Sequence, residues 1–75
     1  MEKVIKFDVF GKVMVVERKD NEWLLYKKTG GGLKIRINEI AIPGDMKEND
    51  LEYFLDDMYH ELASLENPAV VRVKQ

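Results

Sequence analysis

The strongest constraint on this fold is one amphipathic pattern in the last third of the chain, from about Glu48 to Glu66. Its apolar residues follow the i, i+3, i+4, i+7 spacing of a helix that lies on a core. They are Leu51, Phe54, Leu55, Met58, Leu62 and Leu65. At about 100° per residue, His60 falls on the side opposite Leu51. We therefore expect one helix over about 47–66 that packs through Phe54, Leu55, Met58 and Leu62 and leaves His60 in solvent.

The start of this helix has two possible capping boxes, Asp45 with Glu48 and Asn49 with Glu52. Asn67-Pro68 is expected to end the helix. The helix also concentrates charge: residues 45–66 hold one Lys against eight Asp and Glu, whereas residues 1–38 hold nine Lys and Arg against five acids. The front half is therefore basic and the helix acidic.

Four stretches before the helix alternate apolar and polar residues, which is typical of strands. They run over about Val4–Val9, Lys12–Arg18, Glu22–Lys28 and Leu33–Asn38. Short turns between them predict a meander. We therefore predict an α+β fold, an antiparallel four-stranded sheet over about 3–42 with the helix on one face and a tail over 67–75. Val70, Val71 and Val73 could add a short edge strand.

The first turn decides which side chains share a face of the sheet. Asp8 and Gly11 suit a three-residue turn with a glycine bulge, which pairs Asp8 with Lys12 and gives Gly11 a positive φ. A two-residue Phe10-Gly11 turn is disfavoured because it places Phe10 at positive φ. In the second hairpin Arg18 is expected to pair with Trp23. A one-residue change of register would move the first strand to the other face.

This register predicts the residues that face the helix and those on the opposite side of the sheet. The first group is Ile5, Phe7, Val13, Val15, Leu24, Tyr26, Leu33, Ile35 and Ile37. The second group includes an apolar patch that one helix cannot cover, which is a candidate interface with a second copy or another protein. The candidate interface residues are Val4, Met14, Val16, Arg18, Trp23 and Leu25.

Two other interpretations of the same face stay open. Basic residues around an aromatic ring can bind single-stranded nucleic acid. The candidates for that role are Lys6, Lys12, Arg18, Lys27, Lys34 and Arg36. Alternatively, lysine stems cover the valines and Arg18 stacks on Trp23, with no partner at all. Among partners we favour a homodimer that buries Trp23, with nucleic acid as the alternative.

Two blocks of sequence carry a family resemblance. One is Phe7-Asp8-Val9-Phe10-Gly11, and the other is Ile42-Pro43-Gly44-Asp45 followed by the helix residues 51–61 with His60-Glu61. Together they resemble a family of short bacterial proteins known only as a domain of unknown function. The family has no established activity, so the resemblance implies no catalytic residues. Lys47 replaces the Thr or Ser cap that such sequences often have.

No stretch of the chain has a pattern typical of catalysis or metal binding. His60-Glu61 lacks the second histidine of a zinc-protease motif, because Ser64 occupies that position. Asp56 and Asp57 could approach His60, but an exposed helix pair is more often an ion pair. Thr29-Gly30-Gly31-Gly32 lacks the Lys-Ser/Thr ending of a phosphate loop and opens a strand. We therefore predict a non-enzymatic protein with no catalytic residue, metal or cofactor.

Length and composition indicate the class of protein. Seventy-five residues suffice for one domain, 1–75, with one small core. The chain has no Cys, which is compatible with a reducing cytoplasm. Residues 1–8 lack the apolar run of a signal peptide, and no stretch approaches a membrane span. We therefore expect a cytoplasmic protein that does not cross a membrane.

Overall fold

A computed structural model describes residues 3–73 of the chain, which form one antiparallel sheet with a helix across one face. Its elements are β1 (Lys3–Val9), β2 (Lys12–Lys19), β3 (Glu22–Lys28), β4 (Lys34–Arg36), α1 (Leu51–Tyr59) and β5 (Val70–Val73). Single 3₁₀ turns precede and follow α1, at Glu48–Asp50 and His60–Leu62. The α+β class is confirmed.

The sheet has five strands in the order β4-β3-β2-β1-β5, so the predicted count of four is wrong. The first four strands form the expected meander. β5 then returns from the helix and pairs antiparallel with β1, with Val70 opposite Val9 and Val73 opposite Lys6. The last valines therefore close the edge of β1, which a four-stranded meander would have left unpaired.

The second hairpin has the predicted register, with Arg18 opposite Trp23 and Val15 opposite Tyr26. Asp20 and Asn21 connect the strands with φ of 49° and 65°. Positive φ at both central residues defines the type I′ turn that suits the twist of a hairpin. Asp and Asn tolerate this region better than most residues, so the turn agrees with its sequence.

The first hairpin differs from its prediction by one residue. Val9 pairs with Lys12, and Phe10 and Gly11 form a two-residue turn with φ of 52° and 90°. Gly11 has the expected positive φ, but no bulge forms. Phe10 tolerates the unfavourable φ because its side chain is buried in the core cluster. The Gly11 N–H donates to Asp8 Oδ1 over 2.7 Å, which closes the turn.

This change of register alters the content of the core. Ile5 now lies opposite Val16, and Phe7 lies opposite Met14. The side chains beneath the helix are therefore those of Ile5, Phe7, Val9, Met14, Val16, Trp23 and Leu25. Ile5 and Phe7 face the helix as predicted, but Val13, Val15, Leu24 and Tyr26 face the other way. The predicted core partners of the first strand are thus wrong, as a one-residue change requires.

The helix is shorter than the predicted 47–66, and its contacts are concentrated at its N-terminal half. Leu51 and Leu55 are fully buried, and Phe54 packs against the core from a partly buried position. Met58 and Leu62 are exposed, so the prediction that they pack like Leu55 is wrong. Leu65 lies beyond the helix and is fully exposed.

The reason for the early end lies in the return of the chain to β1. Ala63 is extended, and a tight turn follows in which the Ser64 N–H donates to the Asn67 carbonyl over 3.1 Å. This turn directs the chain back to β1 as β5. At the other end neither predicted capping box forms, because no side chain caps the 3₁₀ turn or α1.

The segment between β4 and the helix is fixed to the end of the sheet by Trp23 and Arg18. Trp23 Nε1 donates to the Met46 carbonyl over 2.9 Å, and Arg18 donates to the Gly44 carbonyl over 2.6 Å. A Cβ at position 44 would lie 2.4 Å from the Asn21 carbonyl oxygen, so this close approach requires glycine. Trp23 thus positions the start of the helix.

Candidate functional site

One face of the sheet has no layer packed on it within residues 3–73, because α1 and the segment before it all pack on the other side. We call it the uncovered sheet face. Alternation along each strand fixes its members. They are Val4, Lys6, Asp8, Val13, Val15, Glu17, Lys19, Glu22, Leu24, Tyr26, Lys28, Lys34, Arg36, Val71 and Val73.

The β5, β1 and β2 part of this face is mostly apolar. Val4 is 50% exposed and Val71 is 56% exposed, and Val13 is also in contact with solvent. Val15 lies between its cross-strand neighbours Lys6 and Tyr26 and is buried although no layer covers it. This apolar half is the largest group of aligned aliphatic side chains that the sheet leaves in water.

The β3 and β4 part of the face is basic. Lys34 forms an ion pair with Glu17, and their hydrogen bond raises the pKa of Lys34 above its usual value. The Lys34 ammonium lies 4.9 Å from the centre of the Tyr26 ring, and the Arg36 guanidinium carbon lies 6.0 Å from it. This basic half thus holds two cations on one aromatic ring, with one carboxylate to balance them.

The structure separates the predicted interface residues. Met14, Val16, Trp23 and Leu25 are buried beneath the helix, and only Val4 lies on the uncovered sheet face. Arg18 stacks on Trp23, with its guanidinium carbon 4.6 Å from the ring centre. This contact was expected under the interpretation that the face has no partner. The residues were assigned to the wrong face because the first hairpin has a two-residue turn and the helix covers the Trp23 side of the sheet.

The predicted nucleic-acid residues are also divided between the two faces. Lys6, Lys34 and Arg36 belong to the uncovered sheet face, whereas the other three alternate to the helix side. Those three are Lys12, Arg18 and Lys27. Arg18 is occupied by Gly44 and Trp23. The six residues therefore do not form the single basic platform that the sequence suggested.

Sequence reasoning missed Val13, Val71 and Lys28 as members of the exposed surface. The short spacing between Val9 and Lys12 was the available signal, because a two-residue turn sets this register. The bulk of Phe10 argued against that turn in isolation. Only its burial in the folded chain reverses the argument.

A groove of about 390 Å³ lies on the helix side, at the C-terminal end of α1. Its lining is mostly apolar, from Met14, Ile37, Ile40, Tyr59 and Leu62. Burial raises the pKa of Tyr59, and the nearby Glu39 carboxylate adds to the increase. The groove is open because Leu62 leaves the helix before it can cover the sheet.

His60 is exposed, as the helical phase predicted. Its Nδ1 lies 3.4 Å from Asp56 Oδ1, and its ring meets Phe10 edge-on with centres 6.4 Å apart. In residues 3–73 no three His, Asp or Glu side chains lie close enough together to hold a metal ion. The arrangement is that of a modest surface pair.

The fold defines a class of small α+β domains in which an antiparallel five-stranded sheet carries a helix on one face and leaves the other uncovered. The chain belongs to the family described as Domain of unknown function (DUF7661), which matches residues 4–74. No curated protein and no solved structure matches the chain. Within residues 3–73, α1 is too short and too polar to cross a membrane.

Proposed function

We propose that this protein is a small non-enzymatic interaction module of the cytoplasm, and that it acts as a homodimer through the uncovered sheet face. The observation that carries the proposal is a group of exposed valines on β5, β1 and β2, with Val4 and Val71 each about half exposed. Asp8 and Lys6 of β1 lie between the valines of the two neighbouring strands. Exposed apolar side chains grouped on one face, with charged residues among them, are typical of interfaces.

A second copy fits this surface better than an unrelated partner because the apolar half is self-complementary. In a two-fold contact each copy presents the same group of valines, and two-fold dimers are the commonest closed assembly. Sheets that pack face to face bury such rows in a layer about 10 Å thick. The contact would place Val4, Val13 and Val71 of both copies at its centre.

Charge determines how the two copies would be offset. Direct superposition would bring Lys28, Lys34 and Arg36 near their own copies, and desolvated like charges repel. Pairing through the apolar half leaves these cations at a wet rim, where interfaces are normally polar. The acidic outer surface of the helix lies on the opposite side of the sheet, so it does not oppose the contact.

The test is the mass in solution of the wild type and of two matched variants. Val4→Lys places a cation opposite Glu17, and Ile35→Glu places an anion opposite Lys27, so each new charge meets an opposite charge across the strands. The two positions are 50% and 52% exposed but lie on opposite faces. Neither variant should lose its fold.

At micromolar concentration, light scattering should give the wild type about twice the monomer mass of 8.8 kDa. Val4→Lys should be monomeric, and Ile35→Glu should remain a dimer. A monomeric wild type would overturn the proposal. A dimer that tolerates Val4→Lys but not Ile35→Glu would place the interface on the helix side. Iodide quenching of Trp23 would not report on assembly, because Trp23 is buried within one chain.

A further inference from the structure

Four lysines, two from each face of the sheet, lie at the end where the β1–β2 turn and the β3–β4 loop are side by side. Lys6, Lys12, Lys27 and Lys28 line one open hollow of about 580 Å³. Val13, Thr29 and the backbone at Gly11 and Gly30 complete its wall. No carboxylate lines the hollow, which sets this end of the sheet apart from the acidic helix.

The remaining cations show how unusual this cluster is. Lys3 and Arg72 pair with Glu48, Lys34 pairs with Glu17, and the two remaining arginines lie over aromatic rings. Within residues 3–73, six lysines have neither a carboxylate nor a ring as partner, and four of them line the hollow. The other two are Lys19 and Lys47, at the opposite end of the sheet.

The nearest acid does not neutralise the cluster. Asp8 lies on the same face as Lys6 and Lys28, but it forms no ion pair with the described residues and its Oδ1 accepts the Gly11 N–H. Glu39 lies in the adjoining groove, where Lys12 and Lys27 also reach. Among the described residues the four lysines therefore have no carboxylate in an ion pair with them, and a bound anion would supply the opposite charge.

We propose that this lysine hollow, which shares Lys6, Val13 and Lys28 with the uncovered sheet face, binds a chain of linked phosphates. Lysine ammonium groups bind phosphate as point charges, and the Thr29 hydroxyl adds a donor. The hollow is larger than one phosphate group requires, and four separate cations suit several charges in a row. A free polyphosphate, the tail of a nucleoside triphosphate and a nucleic-acid backbone share this chemistry.

The experiment is a titration of the protein with sodium tripolyphosphate. Calorimetry and backbone amide NMR shifts measure the binding. Binding should weaken at least tenfold between low and physiological salt, because screening acts on exposed charges. The largest shifts should come from the amides of Gly11, Thr29 and Gly30. Shifts confined to the helix or to the opposite end of the sheet would overturn the proposal.

Two double variants separate the site from net charge. Lys12→Glu with Lys27→Glu removes two exposed cations from the hollow, and Lys19→Glu with Lys47→Glu makes the same charge change away from it. The first should weaken tripolyphosphate binding more than tenfold, and the second less than threefold. Equal losses in the two folded variants would show a general charge effect and overturn the proposal. Circular dichroism checks that both variants fold.

A single-stranded deoxythymidine oligonucleotide distinguishes the sources of the phosphate chain. One outcome is that the oligonucleotide displaces bound tripolyphosphate at a total phosphate concentration lower than tripolyphosphate itself needs for binding. That result would support the proposal and identify a nucleic-acid backbone as the ligand. Competition only at a higher concentration would support it with a free phosphate chain as the ligand. Failure of tripolyphosphate and the oligonucleotide to bind at low salt would overturn it.

Discussion

The conformation of Phe10 decides more about this molecule than that of any other single residue. It has a φ of 52°, which a bulky side chain resists, yet its ring lies in the core. Burial of an aromatic ring is worth more than the local strain, since full burial of a Phe contributes about 1.5–3 kcal/mol and the left-handed region costs roughly 1–2 kcal/mol. The turn therefore has two residues.

Gly11→Ala should destabilise the domain for two separable reasons. The backbone at position 11 has a φ of 90°, which an alanine resists, and the added Cβ would lie 2.9 Å from Asn67 Nδ2. The left-handed penalty is roughly 1–2 kcal/mol, and the contact adds to it. Urea denaturation should show that adding Asn67→Ala to Gly11→Ala recovers only the unfolding free energy that was lost through the contact with Asn67. Full recovery in the double variant would mean that the backbone at position 11 relaxes at no cost.

At the scale of elements, the helix is held by its first two turns. Leu51 and Leu55 are fully buried, whereas Met58 is 51% exposed although it continues the same stripe. The apolar spacing alone therefore overestimates how much of the helix contacts the sheet. The sheet ends, and the chain turns back toward β1, before the last apolar residues of the stripe. The exposed end of the stripe forms the rim of the apolar groove instead.

Leu55→Ala should cost about 2–5 kcal/mol of unfolding free energy, the usual transfer and cavity loss at a buried site. Met58→Ala and His60→Ala should each change it by about 0.5 kcal/mol or less, because both positions are exposed. Chemical denaturation followed by circular dichroism measures all three. Comparable losses for Leu55→Ala and Met58→Ala would mean that the helix packs over its full length.

Glu48 links three elements through one carboxylate. It lies 2.5 Å from the Lys3 ammonium of β1 and 2.8 Å from the Arg72 guanidinium of β5. The hydrogen bond from Lys3 lowers the pKa of Glu48 below its usual value, with a smaller contribution in the same direction from Arg72. The 3₁₀ turn before α1 is thereby tied to the edge of the sheet.

A lowered pKa in the folded state gives a definite pH dependence. The contribution of Glu48 to stability should be complete above the usual glutamate pKa of about 4.3 and lost as pH falls through the lowered value. Glu48→Gln should therefore lose about 0.2–1 kcal/mol at pH 7 and progressively less below about pH 4. Glu52→Gln is the control, since Glu52 is also partly buried but forms no ion pair within residues 3–73. A loss independent of pH would contradict this role.

At the scale of the whole molecule, the fold has one core, on one side of the sheet. A five-stranded sheet with a nine-residue helix on one face leaves the other face to be covered by association or by its own side chains. The surface charges follow the same division, with an acidic helix outside one face and a basic half on the other. The surface proposed for assembly and the hollow proposed for anion binding adjoin each other and share Lys6 and Val13.

If the protein is a dimer, its melting temperature should rise with concentration, because association stabilises only the folded chain. Calorimetry from about 5 to about 500 μM should show the increase for the wild type. Val4→Lys should remove the concentration dependence and leave a cooperative transition. A wild-type melting temperature that stays constant over this range would favour a monomer whose lysine stems cover the valines.

The sequence by itself determined the first four strands, the second hairpin and the existence of one helix with His60 in solvent. These follow from local physics: alternation, helical spacing, and Asp20-Asn21 in a turn that such residues tolerate. It also indicated a domain of unknown function, and such a family matches residues 4–74. Each of these features depends on residues close together in the chain.

Tertiary structure decided the register of the first hairpin, and with it the composition of both faces. The Phe10-Gly11 turn becomes favourable only when the core that receives the Phe10 ring is already formed. The pairing of β5 with β1 and the early end of the helix likewise depend on contacts between distant parts of the chain. The candidate sites changed accordingly, because a one-residue difference in register exchanges buried and exposed side chains along a strand.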